Sequence, residues 1–155
     1  MPVKTLKKFL DDNDVRYVTI RHSVAYTAQE IAESAKVPGN EVAKTVMVKL
    51  DGRMAMAVLR APDKVDLGLL RGAAGAKQVE LATEAEFQGQ FPSVDPGAMP
   101  PFGNLYDMPV YVEESLSRDD RIAFNAGSHS ELIQLAYEDF ARLVEHKVAN
   151  FSLEE

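Results

Sequence analysis

The segment 41–62 constrains the fold of this chain more than any other, because it has the pattern of a β-hairpin. Two runs rich in valine, methionine, leucine and alanine flank the dipeptide Asp51-Gly52. Asp-Gly between such runs is a strong signal for a two-residue hairpin turn. The sequence therefore predicts two antiparallel strands in the core of the protein.

One lysine lies on a predominantly apolar face of this hairpin. Side chains alternate between the two faces of a strand, so Lys44 shares a face with Val46, Val48 and Leu50. A lysine at a strand end commonly lays its stem along apolar surface while its ammonium reaches water. The alternative is a cation held at the floor of a cleft to meet an anionic ligand. The spacing alone favours the first interpretation over the second.

The composition is that of an ordinary globular protein, with 46% hydrophobic and 26% charged residues among 155. The chain has no apolar run long enough to cross a membrane, and its N-terminus lacks the apolar core of a signal peptide. The absence of cysteine excludes disulfides, thiolate metal sites and a cysteine nucleophile. We therefore expect a cytoplasmic protein with no membrane contact.

The net charge argues against a DNA partner, and the spacing of the histidines argues against a metal site. The net charge of −7 argues against a protein that coats nucleic acid, and we expect no DNA partner. His22, His129 and His146 are scattered without metal-ligand spacing. We therefore predict neither a metal nor a cofactor.

Apolar periodicity and capping residues predict further helices and strands around the hairpin. Segment 131–135 is ambiguous between strand and helix. The predicted helices are 5–13 with Thr5 as N-cap, 27–35 with a capping box, 67–73 with Asp66 as N-cap and Gly75 at its end, a short helix after the capping box 83–86, and 137–145; the predicted strands are 16–20, 78–82, 108–112, 121–124 and an edge strand in 148–151. This irregular order predicts an α+β fold with a mixed or mainly antiparallel sheet.

The segment 92–104 is rich in proline and glycine, which exclude a helix or a central strand there. A flexible linker between two small domains is one interpretation. However, apolar residues such as Phe91 and Phe102 flank the segment, and the pieces on either side are small for independent domains. We therefore predict an ordered loop whose glycines let backbone amides approach a ligand. The turn 125–129 contains Gly127, which is free to take positive φ.

Several short motifs occur in an order that resembles the YbaK / prolyl-tRNA-synthetase-associated family, whose bacterial members hydrolyse mischarged aminoacyl-tRNA. The resemblance covers nearly the whole chain. The motifs are AKTVMVK at 43–49, TAQEIAES at 27–34, RAP at 60–62 with KVDL at 64–67, GAMPPFG at 97–103, PVYV at 109–112 and NAG at 125–127. The resemblance implies a mixed, mainly antiparallel, partly closed sheet flanked by helices.

The resemblance also implies roles for individual residues. The family's lysine corresponds to Lys44, associated with the phosphate or ribose of the terminal adenosine of tRNA. The family's GxxxP loop corresponds to Gly97 and Pro101, whose backbone is thought to position the ester carbonyl and the attacking water, with Ala98 in the same loop. The family has no universal protein general base, and the substrate's ribose hydroxyl is a candidate for activating water.

Residues near the glycine turn complete the implied substrate pocket. Gly127 and His129 are expected to shape the amino-acid pocket, although His129 is equally compatible with a surface histidine. His22 is placed near the pocket mouth, with a capping or surface role as its alternative.

The function implied by this resemblance is that of a free-standing, single-domain (1–155) trans-editing aminoacyl-tRNA deacylase acting on alanine, serine, threonine or cysteine esters. Its expected partner is the acceptor end of aminoacyl-tRNA, aided by a synthetase or an elongation factor. The alternative is a non-catalytic module of the same fold that binds tRNA ends, nucleotides or a protein. A small-molecule amidase or esterase is a third hypothesis, weakened by the missing nucleophile and metal.

Overall fold

The structure, a computed structural model, describes residues 2–21, 42–90, 99–127 and 131–153. The helices are α1 Pro2–Asp12, α2 Leu67–Ala74, α3 Glu84–Phe87, α4 Glu114–Ser117 and α5 Tyr137–Leu143, and the strands are β1 Tyr17–Arg21, β2 Ala43–Leu50, β3 Arg53–Arg60, β4 Val79–Leu81, β5 Val110–Glu113, β6 Arg121–Asn125, β7 Glu131–Ala136 and β8 Lys147–Ala149. Short 3₁₀ turns occupy Gln88–Gln90 and Gly103–Leu105.

The strands form two sheets, and the predicted α+β class is confirmed. A three-stranded antiparallel sheet has the order β1-β7-β6, and a five-stranded mixed sheet has the order β4-β2-β3-β5-β8. In the larger sheet, β5 and β8 are parallel to their neighbours, whereas the pairings of β2 are antiparallel. Over the two sheets together, four strand pairings are antiparallel and two are parallel, so the fold is mixed and mainly antiparallel, as expected.

The hairpin at the centre of the larger sheet is confirmed in position and register. β2 and β3 pair without interruption from Ala43–Arg60 to Leu50–Arg53, around a turn at Asp51 and Gly52. Both turn residues have positive φ, of 52° and 84°, which is the backbone that a type I′ turn requires.

The capping residues predicted for α2 and α3 are confirmed. The Asp66 carboxylate accepts a hydrogen bond from the Leu69 amide, and Gly75 ends α2 in the left-handed conformation. Thr83 and Glu86 form the reciprocal capping box of α3. The predicted helix 27–35 lies outside the described residues.

Two sequence expectations change. Thr5 was expected to cap the first helix, but α1 begins at Pro2, so Thr5 lies within it. Proline suits the first helical position, because its fixed φ is helical and its missing N–H has no partner to lose there. The ambiguous segment 131–135 is a strand, since β7 pairs with both β1 and β6.

Two apolar clusters cover the two faces of the larger sheet. The first contains Met47, Met56 and Phe102 and fills the space between the two sheets, α1 and α5. The second contains Val48, Leu59 and Leu70 and lies under α2. Because the central hairpin is buried on both faces, its side chains have fixed positions from which a site can be built. Within the described residues, no helix combines the length and apolar character needed to span a membrane.

Candidate functional site

The two sheets meet where β2 begins and β6 ends. Val42, the residue before β2, forms a parallel bridge with Ala123 of β6, and both are buried. Two residues beyond the bridge, the chains reach Lys44 and Asn125. Because side chains alternate along a strand, Lys44 and Asn125 lie on the same side of the junction as the bridging residues.

Lys44 lies on the face of β2 that carries the second apolar cluster. It pairs with Leu59, which is fully buried in that cluster, and its own side chain is half-buried. The prediction that Lys44 shares an apolar face with Val46 and Val48 is thus confirmed. The same register places Lys44 on the opposite face of the sheet from Met47 and the first cluster.

The second lysine of β2 differs from Lys44 in its partners. The Lys49 ammonium forms ion pairs with Glu80, at 3.3 Å, and with Glu86. No described carboxylate lies within ion-pair distance of the Lys44 ammonium. The charge of Lys49 is therefore neutralised within the protein, whereas Lys44 forms no ion pair with any of the described carboxylates.

The surroundings of Lys44 shift its ionisation. Burial lowers the pKa of the Lys44 ammonium below its ordinary value of 10.5, because the charged form loses hydration. The positive charge of Lys64 lowers that pKa further, and the carboxylate of Asp63 opposes the shift. Both neighbours belong to the segment that follows β3, so the charges of this segment act on Lys44.

The described end of the proline-rich loop is firmly packed. Pro101 is buried, and the Phe102 ring that follows it contacts Phe9, Phe124 and Phe140 at centroid distances of 6.2, 5.4 and 5.5 Å. The expectation that Phe102 anchors this loop is confirmed. Gly97 and Ala98, the other predicted site residues of the loop, lie outside the described residues.

The glycine turn has the predicted backbone. Gly127 is buried with φ of 99°, and the Ala126 amide donates to the Glu131 carbonyl at 3.1 Å across the turn. A residue with a side chain would be strained at this φ. The two predicted pocket histidines, His129 and His22, lie outside the described residues.

Asn125 is a candidate site residue that the sequence analysis did not select. Its Oδ1 atom is buried and has no hydrogen-bond partner among the described residues, although buried polar atoms in native proteins are nearly always paired. The sequence placed this residue in a turn, and no pattern in one sequence distinguishes a capping asparagine from one with a free carbonyl. Only the three-dimensional structure shows that this carbonyl is buried away from the other described polar groups.

A cavity of about 550 Å³ lies at the other end of β3, where Arg53 and His146 line it. Arg53 lies six positions along β3 from Leu59, the residue that pairs with Lys44. The distance between these two ends of the strand is about 20 Å. The His146 ring nitrogens contact the Tyr137 hydroxyl and the Val144 carbonyl, so its polar atoms are already engaged. We therefore place the candidate site at the Lys44 end. The described residues contain no cluster of three metal-binding side chains.

Comparison with protein families gives one match over most of the chain. Residues 22–143 match the model of the aminoacyl-tRNA editing domain. This range includes the central hairpin, Lys44, the proline-rich loop and the turn at Gly127.

Two kinds of curated relative share this region. The Multifunctional Ser/Thr-tRNA deacylase ProXp-y of Escherichia coli (strain K12) is 29% identical over 143 residues, which cover 89% of this chain and 84% of the relative. The proline–tRNA ligase of Staphylococcus epidermidis is 32% identical over 90 residues, which cover 58% of this chain and 16% of the ligase. The chain therefore corresponds to a small part of the ligase and to most of the deacylase.

Solved structures share the fold at low sequence identity. A crystal structure described as a candidate trans-editing enzyme for prolyl tRNA synthetase superimposes with a TM-score of 0.83 and 18% identity, covering 99% of this chain and 98% of that one. The crystal structure of hypothetical protein APE2540 gives a TM-score of 0.84 with 17% identity, covering 96% and 99%. Both superpositions extend over whole chains, so the arrangement of the two sheets is a known one.

Proposed function

Because this chain belongs to the aminoacyl-tRNA editing domain family, we propose that it is a hydrolase that removes a small, wrongly attached amino acid from tRNA. The name of the E. coli relative supports serine and threonine as substrates, and alanine and cysteine are of similar size. The purpose of such a reaction is editing. Initial selection discriminates poorly between small side chains, and a second site with its own size limit removes the errors.

In the proposed reaction, water attacks the carbonyl carbon of the aminoacyl ester. The bond between this carbon and the ribose oxygen breaks, the ribose oxygen takes up a proton, and the products are the free amino acid and tRNA. Backbone amides of the loop from Gly97 to Pro101 position the carbonyl and the water, and stabilise the negative charge on the carbonyl oxygen. The free ribose hydroxyl of the substrate assists the activation of water.

The state of Lys44 carries this proposal. Its ammonium is half-buried on a rigid strand and has no ion-pair partner among the described carboxylates. Electrostatic attraction is stronger in such a site than in bulk water, because the surroundings are less polarisable. We assign Lys44 to the phosphate or ribose of the terminal adenosine, which an ammonium on a rigid element can hold in one place.

The acidic character of the chain limits which part of tRNA it binds. With a net charge of −7, the protein gains little from general attraction to the phosphate backbone. We therefore propose that a single domain grips only the acceptor end, in the cytoplasm, and that a synthetase or an elongation factor holds the rest of the tRNA.

Hydrolysis of tRNAs charged with alanine, serine, threonine, cysteine or proline tests this function. The wild type is expected to release one or more of the small amino acids well above the spontaneous rate and to leave proline in place. Lys44→Ala is expected to lose at least about tenfold in kcat/KM, since a charge-assisted contact is worth at least 1.4 kcal/mol.

Lys49→Ala is the matched control, because this lysine lies on the same strand and its charge is neutralised within the protein. It is expected to retain the wild-type rate. If no charged tRNA were hydrolysed, even with a synthetase or an elongation factor present, the hydrolase proposal would be replaced by that of a binding module.

A further inference from the structure

The side-chain carbonyl of Asn125 has the properties of a ligand-binding group. At the last position of β6, its Oδ1 atom is buried and accepts no hydrogen bond from the part of the chain that the structure describes. A buried acceptor that lacks a donor destabilises the folded protein. Since buried polar atoms in native proteins are nearly always paired, the donor for this atom comes from outside the described residues, and a ligand group at this position can supply it.

The strand register brings Asn125 to the same junction as Lys44. The parallel bridge between Val42 and Ala123 fixes the relative position of β2 and β6. Lys44 and Asn125 each lie two residues further along their strands, so their side chains are on the same side of the junction. Just beyond lies the turn at Gly127, whose positive φ fixes the direction in which the chain leaves the site.

The charges near this position restrict the group that Asn125 can bind. Oδ1 of an amide is an acceptor and needs a donor. Lys44 lies on this side of the junction, and the charges of Lys64 and Asp63 are close enough to act on it. A second ammonium would be repelled by these cations, so a neutral hydroxyl is the favoured donor.

We propose that the side-chain carbonyl of Asn125 accepts a hydrogen bond from a hydroxyl group at the aminoacyl end of the substrate. This inference rests on the proposed function, because it takes the acceptor end of aminoacyl-tRNA as the ligand. Two hydroxyls occur there, the free ribose hydroxyl next to the ester and the side-chain hydroxyl of serine or threonine. Either one supplies the donor that the buried carbonyl lacks.

The proposal has a consequence for selectivity. A site that hydrogen-bonds a substrate hydroxyl rejects the analogue that lacks it far more strongly than an apolar pocket rejects a missing methyl group, because the protein acceptor is left unpaired. Asn125 would therefore select substrates by the presence of a hydroxyl group, whereas the walls of the pocket select them by size.

Binding of four hydrolysis-resistant analogues tests the inference. In these adenosine derivatives an amide replaces the ester, the acyl group is serine or alanine, and the 2′ position carries hydroxyl or hydrogen. Isothermal titration calorimetry on the full chain compares the wild type with Asn125→Ala. We expect the variant to bind hydroxyl-containing analogues about tenfold to a hundredfold more weakly.

The pattern across the analogues identifies the donor. A loss confined to the 2′-hydroxyl analogues assigns the ribose, and a loss confined to the seryl analogues assigns the amino-acid side chain. Equal affinities of wild type and variant for all four analogues would overturn the inference, as would failure of the wild type to bind any of them. Asn104→Ala, at the far cavity, is the control and is expected to bind as the wild type does.

Two further measurements separate this inference from its alternatives. Thermal unfolding of Asn125→Ala should occur at or above the wild-type temperature, because the removed carbonyl accepts no hydrogen bond from the described residues. A clear fall would instead indicate a structural role and contradict the proposal. Hydrolysis of charged tRNA, assayed on the same preparations, tests the proposed function separately. Binding that depends on Asn125 without any hydrolysis would remove the enzyme proposal alone.

Discussion

The guanidinium of Arg60 donates two hydrogen bonds to the carboxylate of Asp119, from Nη2 at 2.7 Å and from Nε at 3.3 Å. Arg60 ends β3 and Asp119 precedes β6, so this ion pair connects the larger sheet to the smaller one beside the junction that carries Lys44. Both side chains are largely shielded, with exposed fractions of 27% and 11%. A shielded pair with two hydrogen bonds holds its geometry better than a single surface contact.

Asp119→Ala is therefore expected to destabilise the protein by about 1–3 kcal/mol, because it leaves a shielded guanidinium without its acceptors. Urea unfolding at neutral pH measures the effect. Asp139→Ala is the matched control, since it breaks an exposed ion pair with Arg142 inside one helix, and its cost should be below about 0.5 kcal/mol. Equal costs for the two variants would show that the Arg60 pair contributes no more than a surface contact.

Gly103 gives a second prediction, because the backbone of another segment lies against it. A Cβ atom at this position would lie 2.4 Å from the Met108 carbonyl oxygen and 2.5 Å from a Val110 methyl carbon. Gly103→Ala should therefore cost about 1–3 kcal/mol or more, and it should shift the adjoining Phe102 and the end of the proline-rich loop. Thermal unfolding and deacylation rates measure the two effects.

Gly72→Ala is the corresponding control, since nothing lies within 4 Å of a Cβ atom there and the residue is inside α2. Alanine is the better helix former, so this variant should be more stable than the wild type by about 0.5–1 kcal/mol. A similar loss of stability in both variants would contradict the argument from close approach at Gly103.

The sequence was sufficient for features set by local chemistry. The Asp51-Gly52 turn, the Asp66 cap and the Thr83–Glu86 capping box each depend on residues within a few positions of one another. The alternation that puts Lys44 on an apolar face depends only on the pleat of one strand. These local rules predicted the strand on which Lys44 lies, whereas the resemblance to the family, and not the spacing, selected Lys44 as a site residue.

Features that depend on contacts between distant segments were not predictable in the same way. Nothing local indicates that Val42 bridges Ala123, or that β8 adds to β5 in parallel. The position of Asn125 beside Lys44 depends on that same junction. Pairing between remote strands is set by the packing of the whole chain, which one sequence does not display residue by residue.

Lys44 gives a prediction in which stability and function change in opposite directions. Lys44→Met keeps an unbranched side chain of similar length and removes the buried charge, so it should unfold at or above the wild-type temperature at pH 7 while deacylation is lost. Burial lowers the folded-state pKa of Lys44 below 10.5. The folded protein thus releases this proton at lower pH than the unfolded chain does, and wild-type stability should rise relative to the variant as pH increases through the lowered pKa. Thermal unfolding from pH 7 to 10 measures the difference, and a variant less stable than wild type at pH 7 would contradict the assignment.

Glu113 is the buried carboxylate of the larger sheet, with only 2% of its surface exposed. It accepts a hydrogen bond from the Ser115 amide at 2.8 Å and one from the Ser115 hydroxyl. Hydrogen bonds from the Phe151 amide and the Ser152 side chain also reach it. Burial alone would raise the pKa of Glu113, but these four donors outweigh it and hold the pKa below the ordinary value of 4.5.

The stabilisation from Glu113 is therefore fully present above about pH 4.5 and is lost as pH falls through the lower folded-state pKa, because the unfolded chain binds the proton first. Glu113→Gln should lower the free energy of unfolding by about 1–3 kcal/mol at pH 7. A neutral amide oxygen accepts these hydrogen bonds more weakly than a carboxylate, and the amide NH2 group would face other hydrogen-bond donors. In urea unfolding experiments, the difference in unfolding free energy between the variant and the wild type should become smaller as the pH falls from 5 to 3. Glu114→Gln alters the neighbouring exposed carboxylate, and its effect should be small at every pH. A gap that stayed constant with pH would show that the charge of Glu113 does not hold the segment around Phe151 against the sheet.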